Sequence, residues 1–594
     1  MDRVPPANDL PAPPPTANGD STNASDVLPR RGDHPPPALV SGLIAICILV
    51  ALAVRRFDIA QDNGTRNVVI AVMAFLALAT LGLWHTLFSR FSRTARFAPP
   101  LVLFACAAAF FTYFRLDHVT GEMLPVFAPR FAPKADERLA LPEAVLPREL
   151  VPVLVPRFSP RPDEQLDQAV PADGDPHAAP VDLRTTTPHD FPQFLGPDRS
   201  CAIENVALEP DWDAHPPRLV WSQPIGGGWS GFAVVNGFAV TQEQRGTDEL
   251  VTCYQVASGR VMWFHARPAR YESVMGGVGP RATPTIHDGR VYALGATGWL
   301  TCLGGATGGV VWEKHVPSEF GVSAAEELEI LPFARSSSPL IVDDLVVVPA
   351  GGPRDGPRVS LVAYHRDTGE EVWRAGREQL SHASPALATL AGVRQILCIN
   401  EDTVTGHDPA TGRELWRFNW SGNNQVRSSN SQPVPLPPDR VFVSKGQGGG
   451  AKVVQLVPRG DGTFATHTLW HNRAVLRTKF TNVTILDGRA YGLSDGILEC
   501  VHLETGQRVW KAGRYQHGQL LRVGRHLLVL SEDGEVALVE ATPDSPHRVL
   551  GRFEALSGKT WNTLAFAAPF LLVRNAEQAA CYELRCLGGL QPAD

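Results

Sequence analysis

The chain has 594 residues, 44% of them hydrophobic, which is more than one ordinary core holds, so it divides into regions unless a repeat extends a single domain. A net charge of −7 offers no basic stripe and excludes a general nucleic-acid role. Its nine cysteines form no CxxC, no CxxCH and no adjacent Cys-Cys pair, which removes zinc-ribbon, c-type haem and thioredoxin motifs; most fall in expected strands, where a free thiol acts as a small hydrophobe.

Residues 1–37 are rich in Pro, Asp, Asn and Ser without aliphatic periodicity, so they bury too little surface to offset chain entropy and are expected to be a disordered tail. Three apolar runs follow, 38–54, 68–88 and 98–114, each free of Asp, Glu, Lys and Arg. The middle run matches the roughly 20 residues that cross a hydrocarbon core and the outer two sit near the lower limit of about 17, so three transmembrane helices are expected. The loop 89–97 holds Arg90, Arg93 and Arg96 and no acid, and with Arg30 and Arg31 it narrowly outweighs Arg55, Arg56, Arg66 and Arg115 on the other side. Cations retained inside then place everything after residue 114 on the extracytoplasmic, periplasmic side of a multi-pass anchor. From 115 to 190 prolines recur every few residues, which disfavours helices and sheet interiors; this stretch reads as an extended linker with room for one short helix within 135–150.

From residue 191 to 594 the chain becomes self-similar. CYQVASGRVMW, CLGGATGGVVW, AYHRDTGEEVW, GHDPATGRELW and CVHLETGQRVW end at Trp263, Trp312, Trp373, Trp416 and Trp510, and each has a small first residue, Ser or Thr five later, Gly at six and Trp four beyond. Degenerate copies fall at 455–470, ending at Trp470, and at 538–553. The pattern is a strand, a tight turn whose Gly supplies positive φ, and a second strand ending in a packing anchor; the small first residue is expected to permit close approach of neighbouring sheets. Eight further hairpins precede or follow these, from FAVVNGFAVTQ at Phe232 to TLAFAAPFLLVR at Thr563. Two hairpins make a four-stranded blade, and a period of about 40 to 60 residues suits an all-β, eight-bladed β-propeller of four-stranded antiparallel blades. AACYEL at 579–584 lacks a Trp strand and RLVWSQP, with Trp221, lacks a hairpin, so pairing the two closes the ring and removes its exposed edges.

The T-G-x-x-x-W segments resemble the tryptophan-docking repeats of quinoprotein alcohol dehydrogenases and PQQ-binding-like propellers, which include the outer-membrane assembly lipoprotein scaffold. FPQFLGPDRS at 191–200, GPRATPTIHDGRVYALGATGWLTCL and SGKTW are similar to a bacterial group of such propellers known only by the repeat. The dehydrogenase branch implies PQQ between a Trp floor and an adjacent-cysteine disulfide, with calcium held by Glu and Asn and a catalytic Asp nearby. This chain has neither the Cys-Cys pair nor a calcium-loop spacing, so PQQ and calcium are not expected as cofactors and no catalytic or metal residue is assigned.

About three residues before the innermost strands stand Trp229, Arg281, Arg335, His382, Arg427, Lys479, His517 and Lys559, with Trp561 beside the last. These positions open onto one mouth of a propeller channel, so a cation-ringed, aromatic-floored mouth for an anionic or sugar-like ligand or an acidic partner segment is one reading. The other has these side chains paired with acids such as Glu243, Glu272 or Glu378, or pointing to solvent. The function expected is a membrane-anchored binding or scaffold module for a protein or cell-envelope component; a PQQ-dependent oxidoreductase and a polysaccharide- or peptide-binding module stand as alternatives.

Overall fold

The computed structural model describes residues 37–57, 63–88, 91–143, 180–421, 428–543 and 546–588. The tail expected over 1–37, apart from its last residue, and the 144–179 part of the expected linker lie outside the described residues. Three N-terminal helices, α1 (Pro37–Arg56), α2 (Asn63–Phe88) and α3 (Arg93–Tyr113), are long and apolar enough to cross a membrane. The chain divides into two compact units, one built from the described residues up to 53 together with 71–105 and the other from 54–70 together with everything from 106 onward.

Directly after α3, where the proline content points to an extended linker, the chain instead forms a hairpin: β1 (Phe114–Val119) pairs antiparallel with β2 (Pro125–Pro129). Pro125 and Pro129 are the first and last residues of an edge strand, where a missing N–H removes no ladder bond. The only helix in the described part of 135–150 is a single 3-10 turn, Asp136–Arg138.

The second unit's bulk is a propeller of eight blades, at 233–268, 285–315, 340–375, 386–419, 434–472, 483–514, 519–554 and 565–583. In each, four antiparallel strands follow one another from the channel outward, and for six of the eight neighbouring pairs of blades the first strands touch around the channel. The eighth blade takes its fourth strand from Arg218–Pro224, which pairs with Gln578–Glu583, so the two ends of the domain close the ring. A second clasp pairs Ala207–Leu208 with Cys586–Leu587.

The register explains the repeat. Cys253, Cys302, Ala363, Gly406, Cys500 and Cys581 each lie directly across the strand pair from Trp263, Trp312, Trp373, Trp416, Trp510 and Trp221. At Gly406 the Trp ring of its own blade lies over the first residue, where a Cβ would sit 2.2 Å from Trp416. The Gly answers to the preceding blade. A Cβ on Gly259, Gly308, Gly369, Gly412 or Gly506 would come within 2.8 Å or less of the ring of Trp221, Trp263, Trp312, Trp373 or Trp470, and each of these glycines has φ near +70°. The indole N–H of the same tryptophans donates to a main-chain carbonyl in that next turn, at Val256, Gly305, Arg366, Pro409 and Leu503, over 2.7–3.1 Å; Trp510 does likewise to Thr542 at 3.1 Å. Trp416 faces the degenerate turn of the fifth blade and turns back to Gln395 of its own.

The other degenerate copy is inverted. Leu538 faces Gly551, and Trp212, from the segment before the ring-closing strand, lies on Gly551 with its ring 5.6 Å from Phe553. An aromatic from elsewhere in the chain fills the place that the repeat leaves empty.

The stretch 191–203 closes the channel from the side where first strands end. Phe191 bridges Val234 of the first blade, and Ile286 of the second donates its N–H to Pro192. The fully buried Arg199 guanidinium donates to the carbonyls of Pro339 and Pro385 in the third and fourth blades, while Gln432 of the fifth donates to the Arg199 carbonyl at 2.8 Å. Ala202–Ile203 then adds a parallel strand to Arg522–Val523 of the seventh. The motif FPQFLGPDR is therefore a stopper held by main-chain contacts to most of the ring.

Candidate functional site

The opposite end of the channel, where first strands begin, is where the nine expected mouth residues belong. Trp229 and Trp561 come together with ring centroids 4.9 Å apart, and Phe480 lies 4.6 Å from Trp561. Lys559 lies over both indoles, at 4.3 Å from Trp561 and 5.0 Å from Trp229. Burial pulls its ammonium down to about 8, partly offset by Glu532 and Asp117. His517 joins Phe480 at 5.4 Å. Arg281 stands beside this group but is pinned across the Tyr271 ring, at 4.4 Å, and donates to the carbonyls of Gly276 and Gly279.

Two expected residues are buried. Arg335 is buried and paired with Glu327 at 2.6 Å, and it also donates to the carbonyls of Pro349 and Ala350. Glu327 comes from a short helix, Ala324–Ile330, inserted between the second and third blades and capped by the Ser323 hydroxyl, an element that the strand repeat did not reveal. His382 is buried against Phe333, and burial with Arg281 nearby pushes it down to about 4, so it is neutral at ordinary pH and adds no cation. Arg427 lies outside the described residues. The acids considered as partners pair elsewhere: Glu243 with Arg245, Glu272 with Lys134 and Arg270, and Glu378 with Arg417.

The mouth is shaped around the chain's own hairpin. Lys479 donates to the Gly121 carbonyl at 3.1 Å and Lys559 to the Val119 carbonyl at 3.3 Å, while the Gly121 N–H donates to Glu532 at 2.7 Å. The other Glu532 oxygen accepts the His517 N–H at 3.1 Å. Glu122, at the tip, accepts from Arg514 at 3.0 Å, and Asn67 donates to its carbonyl at 3.0 Å. Farther along, buried Asp136 accepts from Arg270 at 2.6 Å, and Arg245 donates to the Ala140 carbonyl at 2.8 Å. The segment 114–140 thus crosses the mouth from the sixth, seventh and eighth blades to the first. Glu532, Phe480 and Gly121 were missed from sequence; the signal for the tip was VTGEM between two short runs of alternating polarity.

Gly121 is fitted closely, since a Cβ there would stand 2.2 Å from the His517 ring and 2.9 Å from Glu532. Gly121→Leu is expected to expel the tip while leaving the blades folded. Hydrogen exchange over 114–129 should then rise by about tenfold or more with the thermal midpoint of the propeller unchanged.

Behind Arg281, Glu249 is buried with its carboxylate accepting the Ala296 N–H at 2.9 Å. Burial raises it to about 7, although Ala296, Arg267 and Arg281 act in the opposite sense. Between the unfolded value of about 4.3 and 7 the folded protein holds a proton that the unfolded chain has lost, so stability falls as pH rises through that window, by on the order of 3 kcal/mol in full. Glu249→Gln is expected to flatten this slope in denaturation midpoints measured from pH 5 to pH 8.5.

The adjacent-cysteine disulfide that the dehydrogenase resemblance implies has no counterpart in this chain. Cys253, Cys302, Cys500 and Cys581 lie buried under the blade tryptophans, and all nine cysteines are free. Among the described residues no group of three or more His, Cys, Asp or Glu stands ready to hold a metal ion.

In comparison with known proteins the repeat is similar to the PQQ-like type. The family model described as outer membrane protein assembly factor BamB matches residues 247–512. No curated protein matches the chain in sequence. Among solved structures, BamB from Moraxella catarrhalis is 17% identical, with 62% of this chain and 99% of that one covered and a TM-score of 0.44. A europium-containing methanol dehydrogenase is 10% identical over 67% of this chain and 98% of its own, with a TM-score of 0.48. The quinohemoprotein alcohol dehydrogenase from Comamonas testosteroni is 11% identical over 69% and 82%, with a TM-score of 0.44.

Proposed function

We propose that this PQQ-like propeller is a membrane-anchored, extracytoplasmic platform that binds a polypeptide, either a partner protein or a protein component of the cell envelope. The observation that carries this reading is the mouth's grip on main chain. Lys479 and Lys559 take two carbonyls, Glu532 takes an amide N–H, and Trp229, Phe480 and Trp561 form the apolar wall beside them. Groups that satisfy main-chain donors and acceptors beside aromatic rings, as these do for the chain's own hairpin, suit a peptide segment. The match to an assembly-factor family model points the same way. The arginines of the 89–97 loop favour the cytoplasmic side for that loop, and three crossings then put the propeller on the other side.

Proximity labelling from a ligase fused to the full chain tests the reading in intact cells. Enrichment of specific envelope proteins over a control of the same topology, reduced when Phe480 and Trp561 are replaced by Ala, is the expected result. Labelling indistinguishable from the control would remove it. Saturable micromolar PQQ binding in the presence of calcium would put an oxidoreductase in its place.

A further inference from the structure

We infer that the hairpin β1–β2 lies flat in the membrane–water interface, with its tip in the propeller mouth and one face of its helix-proximal half against lipid. This rests on the reading that α1–α3 span a bilayer.

The base of the hairpin is fused to the end of α3. The Arg130 N–H donates to the Tyr113 carbonyl and its guanidinium to the Phe111 carbonyl, both at 2.7 Å, which caps two otherwise orphaned carbonyls of the helix. Phe110 stacks on Phe114 at 4.9 Å and meets Phe127 edge-on at 5.1 Å. The tip is fixed to the first turn of α2, where Asn67 and Asn63 donate to the carbonyl and the carboxylate of Glu122. In a chain that crosses three times, the beginning of α2 and the end of α3 lie on the same side of the bilayer. A hairpin anchored to both, with strands only five and six residues long, must therefore run along that surface, since its length of about 20 Å suits the step from one helix end to another.

One face of this hairpin is apolar and uncovered. Leu116 and Phe127 are cross-strand partners, 41% and 37% exposed, and Phe131 just beyond is 78% exposed. They continue the exposed side chains of Phe111 and Tyr113 at the end of α3. An apolar surface continuous with a membrane span, aromatic at the level where the span ends, is covered by the interfacial region of the bilayer, where aromatic rings collect. Arg115 and Asp117 on the same strand pair with each other and provide the polar edge.

Photo-crosslinking of the full chain in vesicles of phosphatidylethanolamine and phosphatidylglycerol decides the matter. Benzoyl-phenylalanine replaces Phe127 or Phe131, with Leu103 within α3 as the lipid-facing reference and Val311 on an outer strand of the second blade as the exposed reference. Lipid adducts at 127 and 131 comparable to those at 103, and roughly tenfold above those at 311, are the expected result. Adducts at 103 with none above the level of 311 at 127 and 131 would overturn the interfacial hairpin while leaving the anchor intact. Crosslinks from 127 or 131 to protein alone would also overturn it. Absence of lipid adducts at 103 would instead remove the membrane reading itself.

Discussion

Replacing Arg574 with Met is expected to destabilise the propeller by about 3–5 kcal/mol, the range for removing one partner of a buried charge pair. Arg574 has no exposed surface and ties the eighth blade to the first beside the ring closure. Its guanidinium donates to the Thr241 hydroxyl and to the carbonyls of Gln242 and Gly226, each at 2.8 Å. The charge that it balances is Glu243, fully buried, which accepts from the Gly226 N–H at 2.6 Å, the Thr252 hydroxyl at 2.7 Å and the Tyr254 hydroxyl at 2.9 Å. Burial alone would raise the Glu243 carboxyl, but Arg245, Arg574 and these hydrogen bonds outweigh it and hold it below its ordinary range. Methionine fills the volume but leaves Glu243 with Arg245 as its sole counter-charge and strips partners from two buried carbonyls. The control is Arg218→Ala on the ring-closing strand, where the ion pair with Glu583 is solvent-exposed and is worth about 1 kcal/mol or less. Comparing unfolding midpoints of the two variants separates closure by buried charge from closure by surface pairing. Equal midpoints would show that the Arg574–Glu243 network contributes little.

What could be read in advance tracks how much of each feature is carried by side-chain periodicity. The blade count, the hairpins and the ring closure were legible because most blades repeat one steric problem, a Trp that must reach the turn of the next blade. The hairpin at 114–129 was hidden by its prolines, whose edge positions only the pairing reveals. In the stopper at 191–203 and in the mouth's hold on Gly121, side chains such as Arg199, Lys479 and Glu532 meet main-chain atoms, the half of each contact that no residue type marks. Arg335 sits slightly off the mouth spacing and is taken up by Glu327, a residue of an inserted helix outside the repeat.

The coupling between Trp and Gly across blades makes a second prediction of comparable size. Trp263 is 2% exposed, lies opposite Cys253, donates to the Gly305 carbonyl at 2.8 Å and covers Gly308. Trp263→Ala is expected to cost about 3–5 kcal/mol through the cavity between the first two blades. Gly308→Ala adds a Cβ that would sit 2.5 Å from the Trp263 ring, at a residue with φ of +73°. Its cost is about 1–2 kcal/mol for the left-handed backbone and about 1–3 kcal/mol for displacing the ring. In the double variant the ring is gone, so only the backbone part of the second cost survives. The two changes together should therefore destabilise by less than their sum, by about 1–3 kcal/mol, which a double-mutant cycle on denaturation midpoints reads directly. Strict additivity would mean that Gly308 is required by the turn alone and that the T-G-x-x-x-W spacing reflects two independent local needs instead of one contact between neighbouring blades.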